Sequence, residues 1–337
     1  MHMQIKHFVG IDVSRDTLDL SVVVDGISLQ HYCITNRSIE IGSTINKIMK
    51  SLGATVDDTI FCMEHTGIYN LPIVKWLQNH QGKIWMESGV HIRKTLGLVR
   101  GKNDKVDSIR IAMYAYINRH QIKLWKAPRK LIERIAALLS QRLRLNKAKK
   151  QLNTANREQR LFMDKDIMRS LNRYTQKTVV VINKQIEAIE NEILGLIKED
   201  EKLNRMYQII TSVYGVGFVT ATYILVTTNE FININNPKKY ACYSGVVPFE
   251  HSSGSSVRGR TRVSQMANKN IKTLLHLAAL STIRKQGELQ EYYNRKVAEG
   301  KNKMSVLNAI RNKLILRVFA CVNQNRKYEK IYCYKFV

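Results

Sequence analysis

The sequence predicts an α/β domain followed by a mainly helical remainder. Residues 5 to 90 alternate short β-branched and aromatic runs with stretches of helical apolar spacing. Between Pro128 and Gly195 there is neither Gly nor Pro, and apolar residues recur at helical intervals. From about residue 201 the composition shifts to a mainly helical, strongly basic stretch. These shifts divide the chain at 1–125, 126–200 and 201–337.

The first segment opens with three strands. "HFVGIDVS", "LDLSVVVDG" and "SLQHYCITN" are short, apolar and separated by turn residues. "IEIGSTINKIMKSLG" follows with helical spacing and ends on Gly53, a natural C-cap. "TIFCMEHTG" reads as a fourth strand, "YNLPIVKWLQNHQG" as a second helix and "KIWMES" as a fifth strand. Three strands, helix, strand, helix, strand is the order of a ribonuclease-H-like, RuvC-resolvase-like domain, a likeness of fold alone.

The second segment, typified by "LIERIAALLSQRLRLNKAKKQL" and "VVVINKQIEAIENEILGLIK", reads as two long helices forming an antiparallel coiled coil. A spacer or dimer arm is all such a feature requires. In the third segment, "IITSVYGVGFVTATYIL" is a helix, a tight turn and a second helix. Gly215 and Gly217 flank one apolar residue there, which lets backbone N–H groups approach a phosphate at a helix N-terminus. The element resembles a helix-hairpin-helix, and an ordinary helix–helix turn has the same appearance.

Charge narrows the partner. Lys plus Arg total 54 against 27 Asp plus Glu, a net +27 over 337 residues. Such an excess repels itself and calls for a polyanion, of which nucleic acid is the leading candidate. No apolar run is long enough for a membrane span, and "MHMQIKHFVGID" carries no signal-peptide pattern. Five dispersed cysteines with no Cys-x-x-Cys favour neither a zinc site nor a disulfide framework. The expectation is a protein of a reducing cytoplasm with no membrane partner.

In so basic a chain the carboxylates are informative. Asp12 interrupts the apolar run "FVGIDVS", and Glu64 closes the fourth strand. Asp104 and Asp107, in "GKNDKVDSIRIA", lie three apart at a helix start and share a face. In the expected sheet the first strand is central, the fourth lies beside it, and the helix after the fifth crosses both, which gathers all four acids. Four carboxylates repel one another unless hard cations neutralise them, so Mg²⁺ at Asp12, Glu64, Asp104 and Asp107 is the expected cofactor. Singly, each acid has a plainer reading: Asp12 as a strand-end aspartate, Asp104 as an N-cap, "NDKVD" as the acidic bias of a helix start. "GLVRGKND" is not a nucleotide-triphosphate loop: its spacing is one short and Asn103 stands where Ser or Thr is required.

"EHSSGSSVRGR", residues 250–260, is either a solvated surface loop or a serine nucleophile set among small residues with arginines for a phosphate. A serine hydroxyl needs a base, a metal or positioned cations to attack. Arg258 and Arg260 suit a phosphate, and His251 is a candidate base or merely a solvated histidine.

"GID" near the start, "E-x-T-G-x-Y" at 64–69 and "K-x-D-x-x-D" at 102–107 resemble the Asp-Glu-Asp-Asp transposases of the IS110 insertion sequences and the related Piv-type DNA invertases. "GVGFVTA" and "YSGVVPFEHSSGSSVRGRTRVSQMANKNIKTLLHLAA" resemble that family's second conserved domain, so the likeness spans nearly the whole chain. It implies a resolvase-like acidic domain, a coiled coil and a transposase domain with a nucleophilic serine. It also implies DNA strand exchange by a homodimer or homotetramer. In the insertion-sequence branch it implies a bridge RNA pairing with donor and target DNA. Asp12, Glu64, Asp104 and Asp107 fall on the acidic motif and Ser253, before Gly254, on the nucleophile; Ser252, Ser255 and Ser256 are its near neighbours. Lys102, Gly215, Gly217, Arg258 and Arg260 are the candidate nucleic-acid contacts. The chain departs from the family pattern at His65 (a small residue expected), Asn103 (commonly Thr), Ser108 (commonly Ala) and "QMANKN" (a Lys-x-Gly-Asn run expected).

Four functions compete. An RNA-guided serine recombinase and a guide-free invertase share their chemistry. A junction-resolving nuclease would use metal-activated water. A non-catalytic nucleic-acid-binding protein would need no acid quartet, and a nuclease no serine.

Overall fold

The computed structural model describes residues 5–96, 103–253, 257–263 and 267–329. The chain divides into two compact units, Met1–Ala127 and Pro128–Val337.

The first unit is built on strands β1 (His7–Val13), β2 (Thr17–Val24), β3 (Ile27–Thr35), β4 (Thr59–Glu64) and β5 (Lys83–Glu87). Their order is β3-β2-β1-β4-β5. The β1–β2 and β2–β3 pairs are antiparallel and the β1–β4 and β4–β5 pairs parallel, as in a ribonuclease-H-like sheet. Helices α1 (Ser38–Leu52) and α2 (Leu71–Asn79) follow β3 and β4; α3 (Gly89–Leu96) and α4 (Asp104–Ile117) follow β5. As expected, Gly53 caps α1 in a left-handed conformation, φ 59°.

Alternation along β1 sorts the two faces of the sheet. Val9, Ile11 and Val13 pack with Ile41, Ile45, Ile73 and Leu77 of α1 and α2. Phe8 points the other way, into a cluster with Ile111, Ala112 and Ala115 of α4. Gly10 lies on that second face. A Cβ there would stand 2.2 Å from the Ala112 nitrogen and 2.3 Å from the Ser108 carbonyl oxygen, so α4 lies flush on the central strand only because residue 10 is glycine. Ser108, fully buried, has its Oγ 2.7 Å from Ser21 Oγ of β2 and donates to the Lys105 carbonyl at 2.8 Å. The unexpected serine at 108 therefore has a partner on the sheet.

The second unit starts with α5 (Lys130–Gln159) and α6 (Lys165–Glu199). They run antiparallel, joined by Arg134–Glu192, Arg142–Glu190 and Lys149–Asn183 contacts. Val179, Ile186 and Ile193 are buried at heptad steps along α6. The bases of both helices share a core with α7 (Glu201–Ser212), α8 (Phe218–Thr228), α9 (Pro237–Tyr243), α10 (Lys269–Ile283), α11 (Glu288–Ala298) and α12 (Lys303–Asn323). Arg129 pins this base by pairing with Asp200 and with the buried Glu230, each at 2.6 Å.

Between α9 and α10 the structure corrects the sequence reading. The stretch read as a loop within a helical region is an antiparallel hairpin of β6 (Pro248–Ser253) and β7 (Val257–Val263). Its serines, glycines and arginines lack the apolar alternation that signals a strand.

Candidate active site

Two strand ends and one helix start bring the four predicted acids together. Asp12 follows Phe8 and Gly10 on the α4 side of β1, and it is the one residue of that strand not fully buried. Glu64 ends β4 on the same side, two and four residues beyond Cys62 and Ile60 of the α4-side cluster. Because β1 and β4 are parallel, both carboxylates emerge at the same edge of the sheet. Asp104 and Asp107 occupy the first turn of α4, and the flush packing over Gly10 carries that turn towards them. Asn103, not Asp104, is the N-cap: its Oδ1 accepts from Val106 N at 3.1 Å, doing the work of the commoner threonine. Asp104 is thereby not used as a cap, and it is exposed.

Electrostatics register the gathering. The Asp12 carboxyl is pushed up to about 6, first by burial, then by the charges of Asp104, Asp107, Glu64 and Asp19. Glu64 is raised as well, chiefly by burial; Arg93 opposes the rise and Asp107 adds to it. Asp107 pairs with Arg110 at 2.7 Å. Among the described residues no three His, Cys, Asp or Glu side chains already stand at metal-coordinating distance. The donor set nevertheless suits a hard divalent cation: it is all-oxygen, and the carboxylates around Asp12 add to the rise that burial imposes on it.

Glu64 is held from two sides. Asn70, buried, donates from Nδ2 to the Glu64 carbonyl at 2.9 Å. Its Oδ1 accepts from Thr66 N at 2.7 Å and Thr66 Oγ1 at 2.6 Å. The "E-x-T-G-x-Y" motif is thus the start of a turn locked by the asparagine that follows it. Gly89 leaves room on the other side: a Cβ there would meet the Glu64 carboxylate at 2.2–2.4 Å. His65 is exposed, which explains how a large residue is tolerated there.

Sequence reasoning missed three charged neighbours. Asp19 stands opposite Asp12 across the β1–β2 pair and bonds His31 Nε2 at 2.7 Å. Glu87 stands opposite Glu64 across the β4–β5 pair. Burial raises Glu87, but hydrogen bonds from Ser88 N, His91 and Tyr114 outweigh this and leave it below the usual carboxylate range. Arg93 of α3 is the third. An acid inside the apolar run "LDLSVVVDG" was a signal for Asp19; Glu87 and Arg93 carry none.

The other predicted residues belong to the second unit or lie outside the description. Ser253 is the last residue of β6, its backbone paired with Val257; Arg258 and Arg260 lie on β7, and Arg258 pairs with Ser252. Lys102, Gly254, Ser255 and Ser256 lie outside the described residues. Gly215 has φ 91°, and a Cβ on it would meet Thr282 Cγ2 at 2.4 Å and the Ala278 carbonyl at 2.8 Å. Packing against α10 accounts for this glycine without a ligand. Gly217 is the N-cap residue of α8 and has open space around it.

The first unit carries its acids at one end of a ribonuclease-H-like sheet, and the families that the chain matches give the class, a transposase. A model of the DEDD transposases of IS110 matches residues 9–162, and one of the transposase IS116/IS110/IS902 family matches residues 207–294. The chain belongs to the IS110 family of transposases and is a DNA transposase/recombinase. It is 24% identical over 330 residues to the pilin gene-inverting protein of Moraxella bovis, covering 96% of this chain and 98% of that one. It is 26% identical over 152 residues to an uncharacterized 43.6 kDa protein of insertion element IS110 from Streptomyces coelicolor, covering 45% of this chain and 36% of that one. Among solved structures, T. thermophilus RuvC in complex with a Holliday junction substrate matches with a TM-score of 0.30 and 10% identity, over 36% of this chain and 99% of that one. No helix among the described residues is long and apolar enough to cross a membrane.

Proposed function

We propose that this transposase cuts and rejoins DNA with two sets of residues: an acid quartet that binds Mg²⁺, and Ser253 as the nucleophile. The observation that carries the proposal is the grouping of Asp12, Glu64, Asp104 and Asp107 at two strand ends and one helix start, near enough that the other three acids add to the rise that burial imposes on Asp12. When bound, a divalent cation supplies Lewis-acid polarisation of the scissile phosphate and counter-charge for the leaving oxygen. Asp12 and Glu64 would hold it from the sheet, and Asp104 and Asp107 from α4. Asn70 fixes the Glu64 backbone, and Gly89 leaves room for its carboxylate.

In the strand-transfer step Ser253 Oγ attacks phosphorus and forms a phosphoserine ester. The bond to the leaving strand's oxygen breaks, and that oxygen takes up a proton. The serine proton passes to a base, for which His251 is the neighbouring candidate in sequence. A hydroxyl of the recipient strand then attacks the phosphoserine and restores Ser253, so one phosphodiester replaces another without an external energy source. Arg258 and Arg260 offset the charge that develops.

The net charge of +27 leaves ample basic surface for a second polyanion, and a structured bridge RNA pairing with donor and target DNA is the proposed guide. Guide-free inversion is the second reading. It is favoured by the near full-length match to a protein named for inverting a pilin gene. The proposed working form is a homodimer or homotetramer assembled through α5 and α6.

The test is adduct trapping on nicked DNA. The parent should form a covalent protein–DNA species mapping to Ser253. Ser253→Ala should form none, and Asp104→Asn should bind DNA but not cleave it. Cleavage by Ser253→Ala, or an adduct on Ser252, Ser255 or Ser256, removes Ser253 from the role. RNA that co-purifies and is required for cleavage decides for the guided reading; its absence decides for the invertase.

A further inference from the structure

Arg311 of α12 is a buried arginine, 6% exposed. No described carboxylate pairs with it. The more exposed Arg129, Arg134, Arg142, Arg169 and Arg317 each pair with an acid at 2.6–2.8 Å. Arg311 Nη2 instead donates to His276 Nδ1 at 2.6 Å and Nη1 to Asn308 Oδ1 at 3.3 Å, while Nε is buried with no partner. A guanidinium stays charged at any physiological pH, and burying one without a counter-charge is strongly unfavourable. Neutral partners do not repay that cost.

The surroundings favour an anion. Arginine can only donate, so His276 Nδ1 must be the acceptor, which leaves Nε2 as the N–H of the neutral ring. Burial and Arg311 both hold His276 below its ordinary value, consistent with that neutral form. One turn earlier on α10, Lys272 reaches across the Gly245 backbone: a Cβ on Gly245 would lie 3.7 Å from its Nζ. Asn308 donates to the Val246 carbonyl at 2.6 Å, which ties Arg311's neighbour to the segment that feeds β6. Lys272, His276 and Arg311 therefore gather beside residues 245–246, at the root of the hairpin that carries Ser253, with no acid among them.

We infer that Arg311, flanked by His276 and Lys272, is the seat of a DNA backbone phosphate at the root of the β6–β7 hairpin. The inference rests on the proposed action of that hairpin on DNA and names a residue that fixes the strand relative to it. A phosphate supplies the missing counter-charge and two acceptor oxygens, which a planar guanidinium binds well. Arg311 does no bond chemistry in this account; it is a positioning contact.

Thermal denaturation with added inorganic phosphate, combined with duplex-DNA binding across a salt series, tests it. Arg311→Met removes the charge and keeps the bulk. The variant should melt above the parent without phosphate, because an uncompensated charge has gone, and should gain nothing from phosphate that stabilises the parent. Its plot of log K against log salt for duplex DNA should flatten by about 0.9, one phosphate contact. A variant that melts below the parent with an unchanged DNA salt slope would make Arg311 a packing bridge between His276 and Asn308. A slope that changes for single-stranded RNA alone would overturn the DNA assignment. If Arg311→Met does not fold, the ring-nitrogen signals of His276 are followed in the parent as phosphate is added. A saturable shift supports the seat; none at saturation refutes it. These readouts are binding and stability, so the Ser253 proposal can fail in the adduct assay while Arg311-dependent phosphate binding persists, or the reverse.

Discussion

Asp12→Asn should stabilise the metal-free protein at neutral pH while abolishing its response to Mg²⁺. The folded-state Asp12 carboxyl stands at about 6 against an ordinary 3.8. Between those values the folded protein binds more protons than the unfolded chain, so stability falls as pH rises from about 4 to about 6, and the full deficit is present at neutral pH. The unscreened gap corresponds to roughly 3 kcal/mol. Asp12 is only about half buried, and solvent screening reduces this to about 1–2 kcal/mol. The amide is nearly isosteric and carries no charge, so it should recover that amount. The assay is urea unfolding with a chelator at neutral pH and again near pH 4, with and without Mg²⁺. The variant should exceed the parent at neutral pH and lose its advantage near pH 4. With Mg²⁺ only the parent should gain. A variant less stable than the parent at neutral pH without metal would show that the carboxylate makes a structural bond rather than suffering repulsion, and the argument would fall.

Gly10→Ala should cost about 1–3 kcal/mol by overpacking α4 against β1, and recombination should fall further than stability because Asp104 and Asp107 ride on the displaced helix. Differential melting beside a strand-transfer assay checks both. Asn70→Ala should cost about 1–3 kcal/mol for the stranded Thr66 and Glu64 groups, and the cleavage defect should be partly rescued in Asn70→Asp, which keeps the acceptor for Thr66 N and Oγ1; a pair of equally dead variants would count against a positioning role. At the tip of the α5–α6 pair, Leu161 and Phe162 are 79% and 87% exposed. Replacing both with glutamate should reduce the mass of the assembly on nucleic acid, measured by light scattering, while unchanged mass would move the assembly contact elsewhere.

Much of the first unit was legible because its signals are local. A continuous apolar run marks β1 as a buried central strand, and its alternation alone puts Phe8, Gly10 and Asp12 on one face. The "D-x-x-D" spacing and the expected strand order then place two acids at the start of a helix that crosses β1 and β4, while the close approach of that helix over Gly10 had no signal in the sequence. Asp19 and Glu87 were not legible as neighbours of Asp12 and Glu64, since register between strands is set by pairing distant in sequence. The hairpin at Pro248–Val263 escaped because its residues are those of loops, and only pairing makes them strands. Arg311 escaped for another reason. It is one of 54 basic residues, and nothing in "NAIRNKLIL" says which face of α12 is turned inward at that position.

The Ser21–Ser108 contact also constrains how this chain can drift from its relatives. Ser21 Oγ, fully buried, has Ser108 as its hydrogen-bond partner, whereas Ser108 Oγ also has the Lys105 carbonyl. Changing Ser108 to alanine first strands a buried hydroxyl, at about 1–3 kcal/mol. Changing Ser21 first leaves Ser108 satisfied, and the second step is then nearly free of that penalty. The two positions should covary across lineages. Ancestors between the serine pair and the alanine pair should have lost the strand hydroxyl while keeping the helix hydroxyl, far more often than the converse. An inferred phylogeny rich in the opposite intermediate, with serine kept on the strand and alanine already on the helix, would mean that water, or a shifted helix, satisfies the strand instead.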